Sequence, residues 1–202
     1  MDHRSLSAGL LARLRRETNG AVVADMEERG LHYGRSYGVS LHTVRSVAKE
    51  FAPDHEFAKY LWRQPVRELK LAGINIADPE QITIDELKFW FDGASNTELA
   101  ENLASFLLSK TRYATRILEL YGSSPNPAEQ YAAILSAARG STGNIPAELI
   151  VACAGKAADS EDPALLRAAE LLLSRAAVNR DPLILEYIDS IEKQALLDEI
   201  II

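Results

Sequence analysis

Three times in its second half the chain sets a helix-capping side chain directly before a proline, at Asn126-Pro127, Asp162-Pro163 and Asp181-Pro182, and a fourth proline stands at Pro146. An Asn or Asp at that place accepts from the first free backbone N–H groups of a helix, and a following proline lacks the N–H that would otherwise have no partner. Each pair therefore marks a helix start. Pro163 follows Pro127 by 36 residues, and Pro182 follows Pro146 by 36 residues. Helix pairs repeating at that interval are the pattern of an α-solenoid, in which a pair buries its apolar face only against its neighbours. An irregular helical bundle with proline starts is the alternative.

The rest of the chain agrees with helices throughout. Apolar residues recur three and four apart, Gly, Pro and short polar pieces interrupt them, and no alternating run of β-branched and aromatic residues persists. The spacing predicts helices over 5–17, 21–29, 40–51, 54–63, 65–77, 83–92, 95–108, 112–121, 127–138, 146–157, 163–177 and 182–197. The expected fold is all-α: a right-handed solenoid of about six HEAT- or armadillo-like helix pairs. At 202 residues, one domain over 1–202 is expected rather than two cores.

Composition excludes several functional classes. With 47% hydrophobic and 25% charged residues, and no apolar run near the roughly 18 residues of a membrane span, no transmembrane helix is expected. The start spaces its apolar residues among Arg13, Arg15 and Arg16, unlike a secretory signal, so a folded helix in a cytoplasmic protein is expected. Cys153 is the only cysteine, which excludes an internal disulfide, and His3, His32, His42 and His55 lack metal-ligand spacing. No metal site is expected.

The formal charge of −7 conceals an asymmetry. Residues 1–75 carry 12 Lys and Arg against 9 Asp and Glu, a net of +3, which leaves −10 for residues 76–202. A polyanion-binding surface is therefore expected toward the N-terminal half, against the alternative of charges scattered over solvated helix faces. That half contains LHYGRSYGVS, residues 31–40, in which Gly34 and Gly38 permit turns and Ser40 caps the next helix. Tyr33, Tyr37 and Arg35 in such a loop suit stacking on, or clamping, a phosphate backbone; a loop that closes the end of the core is the alternative. Its glycines do not form a nucleotide-binding motif.

Residues 26–83 resemble the N-terminal half of the DNA alkylation repair family of AlkD-type DNA glycosylases. The resemblance rests on YGVS followed by LHTVRSVAKEF, and on Leu61-Trp62 followed by VRELKLAG at 66–73. It implies a HEAT-like solenoid whose concave face holds duplex DNA. It also implies excision of positively charged alkylated purines, with a carboxylate stabilising the oxocarbenium character of the sugar and aromatic faces holding the cationic lesion, and no cofactor.

Alignment to the family's functional positions puts Thr97 where an active member has tryptophan and Glu101 where it has the catalytic aspartate. The second family tryptophan falls on Leu172, Arg175 keeps an arginine, and a further arginine position falls near Tyr131. Glu101 is thus the candidate catalytic acid, and Arg35, Arg45, Thr97 and Arg175 are the candidate DNA-binding residues. With two aromatics and one arginine missing, the expected activity is duplex-DNA binding without catalysis. A protein-interaction scaffold and a weak N-glycosylase acting through Glu101 are the alternatives.

Other side chains carry structural expectations. Ser95 and Glu98 fit a capping box for the helix that bears Glu101. Trp62 and Trp90 sit at core spacing, Cys153 reads as a small buried hydrophobe, and Arg67, Glu68 and Lys70 are expected on an exposed helix edge.

Overall fold

The computed structural model describes the backbone of residues 2–201 and the side chains through Lys193. Among the described residues there are twelve α-helices and no strand: α1 (His3–Leu14), α2 (Gly20–Glu28), α3 (Leu41–Ala48), α4 (His55–Trp62), α5 (Arg67–Ile76), α6 (Ile84–Asp92), α7 (Thr97–Phe106), α8 (Ala114–Tyr121), α9 (Pro127–Arg139), α10 (Ala147–Ala158), α11 (Pro163–Ala177) and α12 (Pro182–Ile201). Short 3₁₀ turns follow α1 and α7. The chain divides into two compact units, Met1–Thr111 and Arg112–Ile202.

In the first unit the odd-numbered helices pack in succession, α1 on α3, α3 on α5 and α5 on α7, while α4 lies along α5. Gly73 makes the α4–α5 approach possible, because a Cβ there would stand 2.9 Å from the Ala58 carbonyl oxygen. Trp62 and Trp90 are fully buried with ring centroids 5.6 Å apart, and the Trp62 indole N–H donates to the Phe89 carbonyl at 3.3 Å. Both are the core anchors their spacing predicts.

In the second unit α9 packs on α11, α10 on α12, and α8 on both α9 and α10. Each helix thus meets the one two places along, as stacking of repeated pairs requires. The cap-then-proline reading holds at all three of its positions: Asn126 and Asp162 cap through Ala128 and Ala164 at 3.1 and 2.8 Å, and Asp181 accepts from Leu183 at 3.0 Å. Pro146 instead stands one residue before its helix, as the cap itself. Cys153 is buried as expected, and burial pushes its thiol above the ordinary value.

Candidate nucleic-acid interface

The loop of residues 31–40 is fixed from beneath by charges that sequence spacing had assigned to solvent. Arg67 and Glu68, in the first turn of α5, are 2% and 0% exposed. The expectation of an exposed helix edge is therefore corrected: the loop folds back over the start of α5, where the Arg67 backbone N–H donates to the Arg35 carbonyl at 2.8 Å. The Glu68 Oε1 atom accepts from the backbone N–H of Tyr37 at 3.1 Å and of Val39 at 3.3 Å. Arg67 donates to the Val39 carbonyl at 2.9 Å and to Glu68 at 3.1 Å. Two buried charges thereby serve as surrogate backbone partners for a loop that has no ladder of its own. Gly38 completes the fit with a φ of +67°, since a Cβ at this position would run into the Asn19 carbonyl.

The same guanidinium reaches α7. Arg67 Nε and Nη2 donate to the two carboxylate oxygens of Glu98 at 2.8 and 2.6 Å, a bidentate pair. The Tyr33 hydroxyl also donates to Glu98, and to Asn96 Oδ1 at 3.3 Å. Burial, then the Glu98 hydrogen bond and charge, hold the Tyr33 hydroxyl well above the ordinary phenol value. For Glu98, burial works upward, but the hydrogen bonds from Arg67 and Tyr33 and the Arg67 charge prevail and leave its carboxyl below the usual range. The expected Ser95–Glu98 capping box is consequently not formed. Glu98 is taken by the buried arginine, and Asn96 caps α7 by accepting from Leu99 N–H at 3.0 Å. Lys70 is also turned inward: its ammonium donates to the Trp62 carbonyl at 2.8 Å and lies over the Trp62 ring, and burial draws its pKa down.

The proposed DNA-binding residues occupy different settings. Arg35 is exposed on the loop, and its Nη1 lies 3.5 Å from the Tyr37 hydroxyl. Arg45 on α3 is half-buried, its guanidinium 3.8 Å from the Phe106 ring centroid and donating to Asn102 Oδ1 at 3.1 Å. Thr97 and Glu101 are exposed one turn apart on α7, hence on one face. Arg175 is exposed on α11 in the second unit, whereas Leu172, one turn before it, is fully buried. The first unit therefore carries Arg35 on the loop and Thr97 and Glu101 on α7, two elements joined by the Arg67 network, while Arg45 reaches α7 from α3 through Asn102. Sequence spacing missed that network because its members lie on three separate segments; the one available signal was an Arg-Glu pair opening a helix between apolar neighbours.

Beside the loop lies a cleft of about 470 Å³ that includes Glu17, Val22, Met26, Gly38, Arg67 and Glu98. Among the described residues no three His, Cys, Asp or Glu side chains come together so as to hold a metal ion, and no helix is long and apolar enough to cross a membrane.

Comparison with known proteins bears on the fold. A solved structure from a family of proteins related to the HEAT-like repeat DNA glycosylases, with affinity for branched DNA structures, is 19% identical to this chain. It superposes with a TM-score of 0.69, covering 94% of this chain and 81% of that one. The all-α, HEAT-like solenoid class read from the helix period is thereby shown. No curated protein matches the sequence. The family model described as DNA alkylation repair enzyme matches residues 10–198, and the chain belongs to that family.

Proposed function

We propose that this protein is a member of the DNA alkylation repair family that binds DNA without excising bases. The observation that carries the reading is the state of the two positions at which active relatives present aromatic faces: Thr97 has no ring, and Leu172 is 0% exposed and part of the core. A glycosylase of this type needs those faces to hold a cationic lesion beside its carboxylate. Glu101 is present and exposed on α7 but has no aromatic one turn before it.

Support for DNA as the ligand comes from the +3 balance of residues 1–75 and from Arg35 on a braced loop. The affinity of the solved relative for branched DNA agrees with it. In this reading Arg35, Arg45 and Arg175 act on phosphates, Thr97 is a further DNA-binding residue, and the whole chain, 1–202, works as one HEAT-like domain.

The test is binding and base release measured side by side. Fluorescence anisotropy with duplex and branched oligonucleotides carrying 7-methylguanine should show binding, with no release of 7-methylguanine above the spontaneous rate. Release abolished by Glu101→Gln would establish the weak glycosylase instead.

A protein-interaction scaffold is the second reading. A groove of about 500 Å³ between α11 and α12, lined by Leu173, Ala177, Ile188 and Ile191, favours it.

A further inference from the structure

Tyr37 has a setting different from that of Tyr33 on the same loop. Tyr33 spends its hydroxyl on Glu98 and Asn96, and lies under the buried network. Tyr37 is half-exposed and meets two exposed arginines from two segments. The Arg15 guanidinium lies over its ring, 5.0 Å from the centroid, and Arg35 Nη1 lies 3.5 Å from its hydroxyl. Among the described residues neither arginine has a carboxylate partner. The nearest acid in sequence to Arg15, Glu17, accepts instead from the Thr43 hydroxyl at 2.7 Å.

Two like charges held on one side chain, Arg15 over the ring and Arg35 at the hydroxyl, repel each other, and a chain with 29 acidic against 22 basic residues has carboxylates available to neutralise them. They stand unpaired all the same. Nor is the loop free to relax the arrangement: Tyr37 is tied at both backbone groups, its N–H to Glu68 and its carbonyl to the Asn19 N–H at 2.8 Å. An oxyanion seated between the two guanidiniums relieves the repulsion, and the planar fork of arginine matches phosphate oxygens. The ring face opposite Arg15 adds what a free phosphate does not use, a surface on which an adjoining base can stack. Bases inside a duplex are already stacked and closed to such a ring; unpaired bases are not.

We infer that Arg15, Tyr37 and Arg35 form a seat for one backbone phosphate and the adjoining unpaired base of a nucleic-acid strand. This deepens the DNA-binding reading and rests on it. The seat gives the protein a preference for DNA with a single-stranded segment, as at a fork or junction, over uninterrupted duplex.

The test uses the full chain and two oligonucleotides labelled alike, a blunt duplex and a fork with single-stranded arms, each titrated over a range of salt. Wild type, Arg15→Gln, Tyr37→Leu, Tyr37→Phe and Arg116→Gln are compared, with circular dichroism confirming the fold of each. Arg116→Gln removes the same charge from the Arg116–Glu119 pair on α8 and serves as the control. Tyr37→Leu should weaken fork binding by roughly 5- to 100-fold while leaving duplex binding nearly unchanged, and Tyr37→Phe should retain most of the fork affinity. Arg15→Gln should reduce the salt slope by about 0.7 to 0.9 of a unit, and the control should leave it unchanged. Equal losses on both DNAs for Tyr37→Leu, or an Arg15→Gln slope no different from that of the control, would overturn the seat and leave DNA binding standing. Wild type that binds neither DNA at low salt would overturn the binding reading and the seat together.

Discussion

At the scale of single residues the molecule is governed by charges placed where water is scarce. Arg67 joins two segments distant in sequence, and its pairing with Glu98 is bidentate, so replacing Glu98 leaves the buried guanidinium with Glu68 as its one carboxylate partner. Glu98→Gln should therefore destabilise the fold by about 2 kcal/mol, read as a fall in the urea midpoint at unchanged slope. The pH dependence follows from the same group. Because the folded carboxyl of Glu98 lies below its ordinary value, the unfolded chain takes up the proton first. Its contribution is complete above the ordinary carboxylate value of about 4.3 and is lost as pH falls through the depressed folded value. Tyr33 works in the opposite direction: its raised folded value makes its contribution complete below about pH 10 and lost as pH rises beyond that. Thermal unfolding against pH should show both limbs, and Tyr33→Phe should shrink the alkaline one, to which the raised Cys153 thiol also contributes. Arg45 belongs to this scale as well. Its guanidinium is packed on Phe106, so Arg45→Ala should cost about 1 kcal/mol of stability in addition to any loss of binding, whereas Arg35→Ala should leave stability unchanged.

At the scale of elements, most of the helices were legible because their punctuation is local. The pairs at Asn126-Pro127 and Asp162-Pro163 announce α9 and α11 through one cap and one missing donor, and neither depends on distant residues. Asp162→Ala should accordingly cost about 1 kcal/mol, measurable by urea unfolding. The start of α7 was misread by one residue because Ser95 and Asn96 are both competent caps, and the choice between them is made by Arg67, 31 positions from Glu98. Arg67 and Glu68 look like a solvated pair by helical spacing, and only the return of the loop over α5 buries them. Gly73 shows how closely α4 and α5 meet. Gly73→Val should force them apart at a cost of about 2 kcal/mol, lowering the melting temperature by several degrees.

At the scale of the whole chain, the all-α class and the repeat were legible because each helix pair states its own period, and family membership over residues 10–198 agrees with them. The candidate site was legible only in part. The loop of residues 31–40 stands out by its tyrosines and glycines, but Tyr33 and Tyr37 are alike in sequence and separate only in space, one bound to Glu98 and the other lying between Arg15 and Arg35. The proposed function combines what is present, an exposed arginine on a braced loop, with what replaces the aromatic faces, Thr97 and the buried Leu172. The most direct measurement of that account is the equilibrium affinity of the protein for DNA as a function of salt. Binding to a phosphate backbone releases counterions, so the logarithm of the association constant should fall linearly with the logarithm of salt concentration, with a slope of about −0.9 for each phosphate engaged on duplex. A slope of about −2 or steeper is the predicted result. An affinity for DNA that is undetectable at low ionic strength, where electrostatic attraction is least screened, would contradict it and leave the protein-interaction scaffold.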